Sequence, residues 1–134
     1  MTLRISLRDG EQLVINGAVI RSSGRSNIMV ENKCSVLRGR DIMMPEDATT
    51  PARELYFLCQ MAYMEPEFRQ DHQNKMLGVM RTLLAAPIRG HQAQLAITVA
   101  QKIATGEFYA ALADCRAMIA EETVVPINTE SAVA

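Results

Sequence analysis

Residues 35–51 read SVLRGRDIMMPEDATTP, and inside this stretch the period of the chain changes. Ser35-Val36-Leu37 is a short apolar run of strand type, ending in Arg38 and Arg40. The next residues, MMPEDA, turn acidic and polar. Thr49-Thr50-Pro51 then has the form of a helix start: a threonine hydroxyl can cap the first turn, and the proline lacks an N–H only where none is needed. The stretch therefore divides the chain into a β-rich segment at 1–44, a helical bundle at 45–122 and a tail at 123–134. The fold class expected is α+β.

Upstream, the pattern alternates as strands do. Leu3, Ile5 and Leu7 fall on one face, with Arg4, Ser6 and Arg8 on the other. Asp9-Gly10 marks a turn. Leu13-Val14-Ile15 runs into Asn16-Gly17, residues that tolerate the positive φ of a tight hairpin turn. Ala18-Val19-Ile20 resumes, Ser22-Ser23-Gly24 interrupts, and Ile28-Met29-Val30 and Ser35-Val36-Leu37 complete about five short strands. The expectation is a small antiparallel meander or barrel-like sheet. A sheet of this size has little core of its own, so it should pack on the helices or pair with a second copy as a homodimer.

Downstream, the spacing is helical. ARELYFLCQMAYM is apolar nearly all round and should be buried on several sides. A second helix, restarted by Glu65-Pro66, places Phe68, Met76, Val79, Met80 and Leu83 on one stripe and stops near Pro87. A third carries Leu95, Ala96, Val99 and Ile103 and ends at Gly106. A fourth carries Phe108, Ala111, Leu112, Cys115 and Ile119. TVVPINTESAVA lacks helical period and reads as a tail.

The 134 residues are 49% hydrophobic and 22% charged, which argues against disorder. No apolar run approaches the roughly 18 residues of a membrane span, and the N-terminus lacks the continuous apolar core of a signal peptide. A cytoplasmic protein without membrane contact is expected. Enzyme motifs are missing: no phosphate-cradling glycine loop, no zinc spacing, no nucleophile elbow. No catalytic residue, metal site or cofactor is assigned. Cys34, Cys59 and Cys115 are isolated along the chain and read as buried free thiols. Glu65 and Glu67 suit a helix start, His72 a half-buried structural position, and His91 the start of a helix. Met61, Met64, Met76 and Met80 fall at helical spacing and read as core.

The charge is distributed unevenly. Residues 1–45 hold seven basic and four acidic side chains, and the remainder holds seven basic and eleven acidic. A basic half can meet an anionic partner, or the halves can attract each other. Arg8 and Arg38, with Arg4, Arg25, Lys33 and Arg40, are the candidate contacts to a polyanion such as RNA, because a guanidinium forks onto phosphate or onto guanine's acceptor edge. The same spacing describes a solvated strand face. In the helical half, Tyr56-Phe57 and Phe108-Tyr109 are candidate anchors for a protein partner, with bundle packing as the other account.

The blocks SLRDGEQLVINGAVI, ENKCSVLRGRDIM, PEDATTPARELYF and GEFYAALADCRAMI resemble the FlbT family of flagellar-assembly regulators. The resemblance runs to about residue 122. It implies a post-transcriptional regulator that acts on the 5′ untranslated leader of flagellin mRNA, altering translation and message lifetime alongside the small flagellar protein FlaF. A weaker likeness links LRISLRDGEQLVI and SVLRGRDI to the carbon-storage-regulator (CsrA) family of RNA-binding proteins. Those form an intertwined β dimer whose first and last strands hold a GGA-bearing leader. By position, Gly10-Glu11 matches that family's first turn, and Arg8 and Arg38 match arginines of its first and last strands. Leu7 stands where that family has a basic residue, and Gly39-Arg40 replaces acidic positions. On that likeness Arg38 is a candidate contact and Arg40 a surface charge.

Overall fold

The computed structural model of the chain describes residues 2–85 and 90–124. Two compact units emerge: Met1–Ile42 with Met64–Pro66, and Met43–Tyr63 with Glu67–Ala134. The α+β class expected from the two periods is the one observed.

In the first unit, five strands follow one another: β1 (Leu3–Leu7), β2 (Gln12–Ile15), β3 (Ala18–Arg21), β4 (Ser26–Val30) and β5 (Val36–Arg38). They do not form a meander. β1 pairs antiparallel with β4, while β2 lies between β3 and β5 in a second sheet. Only the β2–β3 pair is a local hairpin. There Ile15 faces Ala18 across Asn16 (φ 49°) and Gly17 (φ 86°), both in the left-handed region, which matches the strand twist. The Asn16 turn also holds β5. Asn16 N–H donates to Ser35 O at 2.8 Å, and Ser35 N–H donates to Asn16 Oδ1 at 2.9 Å. Ile5, Leu7 and Leu13 form the enclosed centre, with Ile15, Ile28, Val30 and Val36 packed around them. Leu3, expected on the same face, is 50% exposed because it ends its strand.

The second unit holds α1 (Pro51–Met64), α2 (Arg69–Ala85), α3 (Gly90–Ala104) and α4 (Phe108–Val124). Thr50 is the capping threonine: its hydroxyl oxygen accepts the Arg53 N–H at 3.2 Å. That hydroxyl donates to Glu122 Oε1 at 2.6 Å, and Ala52 N–H donates to Glu122 Oε2 at 3.2 Å. A carboxylate from α4 thus sits at the positive end of α1, where the helix dipole favours it. Gln60, buried in α1, spans the main chain of Met43: its Oε1 accepts Met43 N–H at 2.7 Å and its Nε2 donates to Met43 O at 2.9 Å. This pins the crossover that precedes α1.

Two helical expectations change. Pro66 opens a single 3-10 turn (Pro66–Phe68) instead of the helix itself, which turns Phe68 out to 50% exposure while Met76, Met80 and Leu83 remain buried. α4 runs on through Val124, so Thr123 and Val124 belong to the helix and not to a tail. Pro87 and residues 125–134 lie outside the described residues. Among the described residues, no helix is long and apolar enough to cross a membrane.

Candidate functional site

The turn Arg8–Glu11 joins β1 to β2 and sets the site. Glu11 N–H donates to Arg8 O at 3.1 Å, and Glu11 Oε1 accepts Arg8 N–H at 2.9 Å, so the turn is closed by main chain and side chain together. Asp9 Oδ1 accepts the Gly24 N–H at 2.7 Å, tying this turn to the one before β4. β5 then arrives beside β2 with Leu13 opposite Arg38, and the chain breaks into a 3-10 turn at Gly39–Asp41 that carries Arg40.

These connections place Arg8, Arg25, Arg38 and Arg40 around one open groove of about 880 Å³, with Ser6, Asn27 and the Asp9–Glu11 turn. The volume is within the roughly 300–1,000 Å³ of ligand-sized clefts. Four guanidiniums face two carboxylates, and both carboxylates are already engaged inside the unit. Asp9 holds the Gly24 main chain. Glu11 Oε2 pairs with Arg38 Nη1 at 3.0 Å, and the same nitrogen donates to Ser6 O at 3.2 Å. The Arg8 main-chain N–H, and then the Arg38 and Arg40 guanidiniums, hold the Glu11 carboxyl below its ordinary pKa against an opposing desolvation. Among the described residues, the side chains of Arg8, Arg25 and Arg40 have no hydrogen bond or ion pair. Net positive charge with unsatisfied planar donors is the chemistry that receives phosphate.

Four of the six basic candidates are thus brought together. Arg4 lies opposite Met29 in the β1–β4 pair and does not line the groove, nor does Lys33, which is exposed before β5. Glu11 enters from sequence only through its turn match, and Ser6 and Asn27 are not among the candidate contacts. Glu11 and Arg38 meet only because β5 pairs with β2, and nothing local signals that pairing.

The sequence profile of the family described as flagellar protein FlbT matches residues 3–125. The chain belongs to the FlbT family. A flagellum biosynthesis repressor protein FlbT from Caulobacter vibrioides is 35% identical over 130 residues, covering 91% of this chain and 87% of that protein. A probable flagellum biosynthesis repressor protein FlbT from another Caulobacter species is 36% identical over 124 residues, covering 91% and 94%. One from Rhizobium leguminosarum bv. trifolii is 34% identical over 130 residues, covering 96% and 87%. No solved structure matches the chain.

In this FlbT-family chain the aromatic candidates separate. Tyr56 and Phe108 are buried in the helical unit, with the Arg116 guanidinium 5.6 Å from the Tyr56 ring and that of Arg69 5.3 Å from the Phe108 ring. Burial takes both away as free anchors. Phe57 is half-buried, and Tyr109 is 54% exposed, tilted at 45° against Tyr63 with centroids 5.1 Å apart. The cysteines are not all isolated in space either. Cys59 and Cys115 are both buried, and Cys34 is half-buried. The Cys59 thiol as hydrogen-bond partner, followed by burial, pushes the Cys115 pKa up, so that thiol stays protonated and unreactive.

Gly39 has a spatial reason to be glycine. A Cβ there would stand 2.8 Å from Gln12 Cβ and 3.2 Å from Gln12 O, so the FlbT-family groove needs this close approach between the end of β5 and β2. Gly39→Ala is expected to destabilise the sheet unit by about 1–3 kcal/mol, the usual cost of overpacking. Urea denaturation of the full chain measures it. A shift below about 0.5 kcal/mol would show that Gln12 yields freely.

Proposed function

We propose that this FlbT-family protein regulates flagellin synthesis after transcription, binding the 5′ untranslated leader of flagellin mRNA in the arginine groove of its N-terminal sheet. The observation that carries the reading is the convergence of Arg8, Arg25, Arg38 and Arg40 on one groove whose carboxylates are already engaged. Relatives named as flagellum biosynthesis repressors support the regulatory part, and the resemblance of Arg8 and Arg38 by position to arginines of a leader-binding family supports the site. Bound across the leader, the protein would govern access by the ribosome and thereby translation and message lifetime.

The groove contains no aromatic side chain, since all six aromatics lie at Tyr56 and beyond. Bases cannot be stacked there as in many single-strand readers. Arginine forks onto phosphates and guanine edges must carry the recognition, with Ser6 and Asn27 as further polar groups. Gel shift with a flagellin leader RNA tests this. Arg8→Ala/Arg38→Ala should weaken binding by roughly tenfold or more and lower the salt slope by about 2. Unchanged affinity and slope would remove these residues from the site. Light scattering on the same complex gives the protein count, and one chain per RNA would rule out the homodimer.

A second reading rests on Tyr109, exposed and braced by Tyr63. Here the helical unit docks FlaF or flagellin, and the effect on mRNA is indirect. Retention of RNA only after the partner is added would favour it.

A further inference from the structure

We infer that Glu11 is a positioning residue: its carboxylate holds Arg38 so that one complete guanidinium edge faces a phosphodiester. This rests on the RNA-binding reading of the groove and specifies how that groove is built. Glu11 lies on the groove wall, and as an acid it would be counted against a polyanion site. Its two oxygens are nevertheless both committed. Oε1 accepts the Arg8 N–H at 2.9 Å, and Oε2 accepts from Arg38 Nη1 at 3.0 Å.

The second contact of Arg38 uses the same atom, since Nη1 also donates to Ser6 O at 3.2 Å. Nη1 is thus engaged twice within the protein. Nε and Nη2 have no acceptor among the described residues. They form the parallel pair of donors that fits two phosphate oxygens bidentately. Glu11 and the Ser6 carbonyl therefore grip the guanidinium at one corner and leave its binding edge free. The tether reduces the rotameric freedom that Arg38 must surrender on binding, which is preorganisation in the ordinary sense.

The two effects of Glu11 have opposite signs. Its repulsion of a phosphate in an exposed, salt-screened groove alters affinity by less than about twofold. Loss of the tether should cost about three- to fivefold, the range of an exposed but well-formed arginine pair. Positioning therefore outweighs repulsion, and the net sign decides between them.

The test is Glu11→Gln in the full chain. The amide oxygen still accepts the Arg8 N–H, so the turn is kept while the charge that holds Arg38 is lost. Leader RNA affinity is expected to fall about 1.5- to fivefold, the tether loss less the relieved repulsion, with an unchanged salt slope, because the same phosphates are contacted. Nitrogen-15 NMR of the guanidinium supplies a readout independent of RNA: slowly rotating Arg38 Nη signals in the parent chain should collapse to fast rotation in the variant. Arg38→Lys keeps the charge and should still lose affinity, because an ammonium presents no fork. Tighter or equal binding by Glu11→Gln, with the parent chain retaining RNA, overturns the inference alone. Failure of the parent chain to retain RNA overturns the binding reading and this inference with it.

Discussion

Leu13→Ala should unfold the sheet unit under conditions where the parent chain is folded. Leu13 is fully enclosed and meets Ile5 and Leu7 at the centre of the unit. Removing three buried carbons there costs about 2–5 kcal/mol, the transfer term plus the cavity left behind. A folding unit of this size has only a few kcal/mol in hand, at about 0.05–0.15 kcal/mol per residue. The loss therefore matches the whole reserve. Amide hydrogen exchange is the measurement, with β1, β2 and β4 amides expected to lose protection. Leu13 lies opposite Arg38 across the β2–β5 ladder, so on the proposed RNA-binding reading leader affinity should fall with them. Retained protection in β1 and β2 would show that the surrounding side chains collapse into the space and that Leu13 is not the keystone proposed.

The same residue shows what the sequence made legible. Leu13 could be placed on a strand because Leu13-Val14-Ile15 ends at Asn16-Gly17, and a tight turn is a local signal. The five strands and four helices of the described residues announce themselves in this way, by period and punctuation. Pairing is different. β1 with β4 and β2 with β5 are contacts between segments with two or more turns between them, and alternation looks the same whichever neighbour a strand takes. A meander was the simplest pairing and was not the one formed. What depends on the true pairing is therefore hidden, above all Glu11 beside Arg38, 27 residues apart. Arg40 is a candidate polyanion contact by its charge and a surface charge by the likeness to leader-binding proteins, where it replaces an acidic position; the 3-10 turn sets it on the groove wall. Glu122 on Thr50 is hidden in the same way, since a contact across 72 residues leaves no trace in local composition. Arg8 and Arg38 were singled out because strand ends, turn and family likeness all fell on them at once.

Phe108→Ala and Tyr109→Ala should differ sharply in stability although the residues are adjacent. Phe108 is 2% exposed and carries the Arg69 guanidinium over its ring at 5.3 Å. Its truncation is expected to cost about 3–5 kcal/mol from the cavity, and the cation–π contact adds about 0.5–1 kcal/mol. Tyr109 is 54% exposed, and its removal forfeits chiefly the ring contact with Tyr63, about 0.5–1.5 kcal/mol. Helix geometry accounts for the division. Successive residues on α4 point about 100° apart, so when Phe108 joins Ala111, Leu112 and Cys115 inside, Tyr109 must leave that face. Urea denaturation followed by far-UV circular dichroism separates the two variants. The outcome also governs how partner binding can be tested. A partner lost on Phe108→Ala would only report a damaged bundle, whereas one lost on Tyr109→Ala, with the helices intact, would mark a true contact. A cost below about 1 kcal/mol for Phe108→Ala would contradict its place in the core and return Phe108 to the surface as an anchor beside Tyr109.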